Sequence, residues 1–423
     1  MIPTPYPLEA DLGIGWYATD TPGAGGVLRQ SPEDFVVEEI PKDGAGESGP
    51  YLLCRLTKRN WEHQHAMKSI AAALGISHRR IAWAGTKDKN ALTTQAITIY
   101  NVDEAAVRAL SIRDMEIEPV GRRQHQLSLG DLAGNRFRIA IHDCDGPDLE
   151  RTVESCTEAA AGGFPNYFGL QRFGVVRPVT HLVGREILRG DYEGAALTYI
   201  GLACPDEEES VREIRTAFLE ERNAKATIAA LPRHLGFERS VLSGLAERPD
   251  DYSGALKNLP PKLLSMFVSA YQSWLFNRVL SMRCADGAGL DEPLPGDRLL
   301  FANGREDVVT AVNTRVVSIH IARGRCAIAL FIPGSEPTSG TGAGDERMAA
   351  LLDEDDIGAE DFRRASEFVG LRYNGALRPI AVKTEIDAGV SGQDICLSFR
   401  LPPGHYATTI CREYMKADPR AMI

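Results

Sequence analysis

Strand-type patterning fills the start of this chain and returns only at its very end. Early on, "DFVVEEI" (34–40) and "YLLCRLTK" (51–58) read as strands, split by the turn-rich "PKDGAGESGP". The final stretch, "RPIAVKTEIDAGVSGQDICLSFRLPPGHYATTICREYMK", again reads strand–turn–strand–helix. Between them the texture changes after about residue 190. Acid-rich helices are expected over 205–222, a strongly helical "KLLSMFVSAYQSWLFNRVLSMR" spans 262–283, and the loop "PGSEPTSGTGAG" spans 333–344. A sheet-like tail after a helical middle implies an inserted unit, with the C-terminus completing the first domain's sheet. The strands arrive as neighbours rather than through regular crossover helices, so the expected class is α+β with mainly antiparallel pairing.

Finer elements follow from periodicity. "EHQHAMKSIAAALG" (62–75) places Met67, Ile70, Ala71 and Leu74 on one helical face and ends at Gly75. "RIAWAG" and "QAITIYNV" bracket the loop "AGTKDKNALTTQ" as a strand pair. Two strands around a glycine-containing turn are expected over 125–144, and a helix over 148–161.

That bracketed loop carries an odd charge order, with the lone acid Asp88 between Lys87 and Lys89. The net charge of −11 argues weakly against a nucleic-acid partner, because a phosphate backbone must be met with positive charge. The distribution reverses that argument. Residues 51–95 hold eight Lys and Arg against Glu62 and Asp88, whereas residues 345–367 hold nine acids and three bases. A basic working face on an acidic body is the expectation. The eight cysteines are scattered singly with no C-x-x-C pair, which favours reduced cytoplasmic thiols over disulfides or a zinc site. No stretch approaches the apolar length of a membrane span, and the first residues lack signal-peptide character.

Three stretches carry candidate chemistry. Asp88 sits on a strand–loop–strand, where a rigid frame commonly holds working residues. Its lysine neighbours favour the ionised carboxylate, which can serve as nucleophile or general base. Taken alone, the stretch is better explained by a turn aspartate bonding its own backbone. "FPNYFGLQRFG" (164–174) sets Phe164, Tyr167, Phe168 and Phe173 among Asn166, Gln171 and Arg172. Aromatic faces stack on unstacked bases, amides read base edges and arginine holds phosphate, the equipment of an enzyme that extrudes a base. A buried loop packed by its own aromatics is an equal reading. In "LPPGHYATTICREYMK" (401–416), Tyr406 stands at a helix entrance that Thr408 would help cap, although a core tyrosine is the plainer reading. His63 and His65 lack a third ligand of convincing spacing, so no metal is expected. No phosphate-cradling loop, G-x-S-x-G or dinucleotide fingerprint is present.

The motifs "SPEDFVVEEI", "AGTKDKNALTTQ", "LGDLAGNRF", "PNYFGLQRFG", "SAYQSWLFNRVLS" and "LPPGHYATTICREYMK", in this order over residues 31–416, resemble the TruD family of tRNA pseudouridine synthases. The resemblance implies a pseudouridine-synthase-type catalytic domain, 1–190 plus 375–423, with a mixed, mainly antiparallel sheet and flanking helices, interrupted by a family-specific α/β insertion over 191–374. It implies isomerisation of a flipped-out tRNA uridine, position 13 being the usual target, without metal or organic cofactor. By motif match Asp88 falls on the catalytic aspartate, and Phe35, Asn166, Phe168 and Tyr406 fall on substrate-contacting positions. Phe168 stands where most other pseudouridine synthases carry tyrosine, and Tyr406 stands where relatives carry phenylalanine. Arg29, Lys87, Lys89 and Arg172 are expected to meet the RNA backbone. The expected partner is tRNA alone, bound by a cytoplasmic monomer with no obligatory protein partner and no membrane association.

Two rivals share parts of this pattern. An RNA-binding protein without catalysis would use the basic face and aromatic loop but not Asp88. A carboxylate-pair glycosidase needs a second acid near the first, for which Glu38 and Glu39 are the neighbouring candidates.

Overall fold

The computed structural model describes residues 1–336 and 340–422, so positions 337–339 of the 333–344 loop lie outside the described residues. The chain forms two compact units. One comprises Ala18–Phe164 and Val382–Ile423; the other comprises Met1–Tyr17 and Pro165–Ala381.

The first of these is built on a nine-stranded sheet. Its main path runs Ile386–Ser391, Asp394–Leu401, Leu132–Cys144, Phe35–Pro41, Leu92–Tyr100, Tyr51–Arg59, Met115–Arg123. Gly25–Leu28 pairs alongside Leu132–Cys144, and Ile81–Trp83 alongside Leu92–Tyr100. Phe35–Pro41 and Leu92–Tyr100 run parallel, and the other described pairings of this sheet are antiparallel. The C-terminal hairpin therefore completes the N-terminal sheet, as the patterning requires. Residues 125–144 differ from expectation. They hold one long strand, Leu132–Cys144, preceded by a turn in which Ser128 N donates to Asp131 Oδ2 at 2.7 Å. An aspartate that satisfies the backbone locally diverts it from strand pairing.

Alternation sets what each face of this sheet does. Phe35, Val37, Phe137, Ile139, Ile141, Leu397 and Phe399 meet Leu149–Gly162 and Ala407–Met415 in one core. Leu52, Cys54, Leu56, Ile97 and Ile99 meet Met67, Ile70 and Ala71 of the helix His63–Ala73 in a second. The start and end of the unit are tied by Lys416, whose Nζ donates to Thr19 O at 2.8 Å and Thr21 O at 2.6 Å.

The other unit combines a four-stranded antiparallel sheet with helices. The sheet order is Glu306–Val308, Arg298–Phe301, Cys326–Ile332, Ala376–Pro379. Pro261–Ala285 is its central helix, opened by a proline at its first turn, where the missing N–H costs nothing. The expected boundaries at 190/191 and 374/375 both fall inside this unit, and residues 1–17 belong to it as well. The reason is packing. Thr180–Arg189 lies so close to Pro261–Ala285 that a Cβ at Gly184 would sit 2.0 Å from the Phe267 carbonyl oxygen. Residues 11–15 are bonded to the same helix, with Trp274 Nε1 donating to Asp11 O at 3.0 Å and Gly15 N to Ser281 Oγ at 3.0 Å.

Candidate active site

The strand pair Ile81–Trp83 and Leu92–Tyr100 forms as the sequence predicts and holds the Asp88 loop between its ends. The loop is fastened from several sides. Gly130 N donates to Ala84 O at 2.8 Å, Gln95 Nε2 to Gly85 O at 3.2 Å, and Asn60 N to Ala91 O at 3.1 Å. Lys87 does not flank Asp88 in solvent as expected. It turns inward and pairs with buried Glu39 at 2.5 Å, while the other Glu39 oxygen accepts from Ala96 N at 3.2 Å. Lys89 is exposed, as an RNA-facing cation must be. The Asp88 carboxylate itself is 54% exposed.

Arg29 is the cation that faces Asp88, with Nη2 3.9 Å from Oδ2. It was expected at the RNA backbone, but its side chain is only 10% exposed, and its guanidinium lies 4.2 Å over the Phe35 ring. Its φ of 61° is a left-handed conformation uncommon outside glycine, of the kind that collects at functional sites. Phe35 starts its strand directly after the short turn Pro32–Asp34, where Ser31 N donates to Asp34 Oδ2 at 2.6 Å. The Phe35 ring is 1% exposed, between Arg29 and the edge of Phe137. Arg29 thus joins Phe35 to Asp88. Tyr406 lies in the same unit, in extended backbone conformation, as the residue preceding helix Ala407–Met415.

Asn166, Phe168 and Arg172 lie in the other unit. Asn277, fully buried on helix Pro261–Ala285, clamps the Phe168 backbone. Its Oδ1 accepts from Phe168 N at 2.8 Å, and its Nδ2 donates to Phe168 O at 3.0 Å and Leu12 O at 3.2 Å. Asn166 is also fully buried; Nδ2 donates to Pro379 O at 2.8 Å and Oδ1 accepts from Arg378 Nη2 at 2.8 Å. Arg378 in turn places its guanidinium 4.0 Å over the Phe168 ring, and Phe276 presents its ring at 84° to the same phenyl. Arg172 donates Nε to Ser273 Oγ at 3.1 Å and stands 5.9 Å from the ring centre.

Sequence reasoning missed Arg378 and Asn277. Arg378 is one arginine among several in a strand-like stretch and carries no local signal. Asn277 had one: an amide inside the apolar run "WLFNRVL" must find buried partners. Glu38 and Glu39, the second acids a glycosidase would need, are both engaged by bases: Glu39 by Lys87, and Glu38 by Arg136 at 3.3 Å and Arg138 at 3.8 Å. A cavity of about 510 Å3 beside them, lined also by Glu116 and Glu118, is acidic and does not include Asp88.

A sequence model described as tRNA pseudouridine synthase D (TruD) matches residues 11–414. The chain belongs to the TruD family of tRNA pseudouridine synthases. Among TruD relatives, a probable tRNA pseudouridine synthase D from Methanosarcina acetivorans is 38% identical over 98% of each chain. One from Natronomonas pharaonis is 39% identical over 99% of each. The crystal structure of a putative TruD from Methanosarcina mazei superposes with a TM-score of 0.82 at 36% identity, covering 98% of both chains. TruD membership bears out the α+β expectation and makes the chain an isomerase acting on tRNA. Among the described residues no helix is long and apolar enough to cross a membrane.

Proposed function

We propose that this chain converts one uridine of tRNA, at position 13, to pseudouridine, with Asp88 as the catalytic carboxylate. The observation that carries the assignment is the contrast at Asp88: a half-exposed carboxylate on a loop fastened on several sides, faced by a guanidinium at 3.9 Å. A loop so fixed presents its side chain with little motion to lose, which is what positioning for reaction requires. The reaction breaks N1–C1′, turns the uracil and joins C5 to C1′. Asp88 either attacks C1′ or takes a ribose proton on the way to a glycal. The C5 proton then leaves to Asp88, another polar group or water. No atom is gained and nothing is oxidised, so no step needs a metal or organic cofactor.

Phe168 is the ring for stacking on the extruded uracil, and Asn166 acts through Arg378, which it holds against that ring; Phe35 and Tyr406 are the substrate-contacting aromatics of the unit that carries Asp88. Lys89 and Arg172 supply the cations for the RNA backbone. The enzyme works as a cytoplasmic monomer with tRNA as its partner.

Asp88→Ala is expected to abolish tritium release from tRNA carrying 5-tritiated uridine while tRNA binding persists. Turnover by that variant removes Asp88 from the mechanism. Free uracil as the product would point to a glycosidase, and binding without any product to an RNA-binding protein.

A further inference from the structure

Lys58 lies fully buried under the Asp88 loop, on strand Tyr51–Arg59 opposite Thr93. Its Nζ donates to the main-chain oxygen of Asp88 at 2.7 Å and to that of Trp61 at 2.8 Å. One ammonium therefore ties the peptide of Asp88 to the segment that leads into helix His63–Ala73.

The surroundings make this an expensive place for a charge. Burial pulls the Lys58 ammonium down to about 8, against the upward pull of the carboxylates of Asp88 and Glu62, and Lys87 adds to the downward push. The other titratable group against it, His63, is driven down to about 4, first by burial and then by the Lys58 charge, so it stays neutral. Lys87 is spent on Glu39, and Glu62 caps its helix by accepting from Gln64 N and His65 N. Lys58 is thus the cation in this layer whose donors reach the Asp88 peptide itself. A methionine would fill similar space without desolvating a charge, so packing alone does not call for a lysine here.

We propose that Lys58 is a positioning residue for the isomerisation: its ammonium locks the Asp88 peptide through the carbonyl and sets a positive potential beneath the carboxylate. The inference rests on Asp88 being the catalytic residue. It acts on the reaction through Asp88 and touches no substrate.

The test uses the full-length protein and a tRNA transcript with 5-tritiated uridine, in single turnover, with tRNA affinity measured separately by filter binding. The wild-type rate is expected to fall as the pH climbs through about 8, where the Lys58 ammonium gives up its proton. Lys58→Met should be slower by about 10- to 100-fold at neutral pH, the worth of a charge-assisted hydrogen bond to a buried group, with tRNA affinity little changed and that alkaline fall gone. Lys58→Arg, charged throughout the range, should regain part of the rate and move the fall to higher pH.

A merely structural tie would lower the melting temperature of Lys58→Met and leave the shape of the pH profile alone, and that result overturns the proposal. So does a Lys58→Met rate equal to wild type, or an alkaline fall that stays in place in Lys58→Arg and so belongs to the uracil N3 proton. If the arginine variant does not fold, the methionine and wild-type profiles decide. Asp88→Ala run alongside separates the two claims. Its activity would remove the reading of Asp88, whereas its silence together with an unaltered Lys58→Met removes only the role of Lys58.

Discussion

Asn277→Ala tests whether the Phe168 loop is held by one buried amide. The side chain is fully buried and makes three hydrogen bonds, to Phe168 N at 2.8 Å, Phe168 O at 3.0 Å and Leu12 O at 3.2 Å. Truncation strands all three backbone groups. A stranded buried group costs ~1–3 kcal/mol, but the three share one cavity that water can enter, so a total of about 3 kcal/mol is expected rather than the full sum. The loss should be concentrated at the Phe168 amide, whose exchange with deuterated solvent should quicken by about 100-fold. The assay is residue-resolved hydrogen exchange on the folded protein, with urea unfolding for the global change. Single-turnover isomerisation should fall as well, because the ring proposed to stack on the uracil would wander. Asn277→Asp keeps the acceptor for Phe168 N and loses the donor to Phe168 O and Leu12 O, so its exchange rate should lie between the two. A Phe168 amide as protected in Asn277→Ala as in wild type would refute the clamp.

Two other perturbations follow from the fold. His142 Nε2 lies 3.1 Å from Asp34 Oδ1, and Nδ1 lies 3.2 Å from Asp394 Oδ2; the hydrogen bond to Asp34 raises its pKa most, against burial and with help from Asp394. A raised histidine adds stability that is complete below its ordinary value of 6.5 and is lost as the pH rises through the folded value, so wild type should lose stability over that window and His142→Ala should not. Thermal unfolding of both proteins across neutral pH checks it; parallel curves would remove the His142 contribution. Gly184→Ala drives a methyl to 2.0 Å from the Phe267 carbonyl oxygen and should destabilise by at least ~1–3 kcal/mol, read as a lower urea midpoint; a midpoint equal to wild type would show that the two helices separate freely.

Periodicity reports a residue's face within its own segment, and this explains what was legible. The loop around Asp88, the helix His63–Ala73, the helix Pro261–Ala285 and the C-terminal hairpin all follow from local pattern. The unit boundaries do not, because Gly184 against Phe267 and Trp274 against Asp11 are contacts between segments far apart in the chain. The 125–144 reading failed on local chemistry instead, since Asp131 satisfies Ser128 N and delays the strand. At the site, the local charge order singled out Asp88 but gave the wrong account of Lys87. Adjacent residues on a loop share no fixed face, so "KDK" does not say that Lys87 points in while Asp88 and Lys89 point out. Arg29 shows the same limit, because nothing local in "VLRQSPEDF" reveals that its guanidinium covers Phe35 and reaches Asp88.

The arrangement of cations around Asp88 argues against stability as its purpose. An exposed carboxylate costs the fold little, and a partner 3.9 Å away near solvent adds little. The expense lies underneath, in the buried Lys87–Glu39 pair and in Lys58, whose charge is held inside against its own desolvation. Apolar residues of similar size would hold the strands as well, and buried ion pairs replaced in that way commonly leave a protein as stable or more so. What apolar residues cannot do is bond the carbonyl of Asp88 or fix Glu39 against Ala96 N, and so set the path of the loop. A charge layer that stability does not require, placed under the acid proposed to carry the chemistry, is what a site built to hold a carboxylate still should contain.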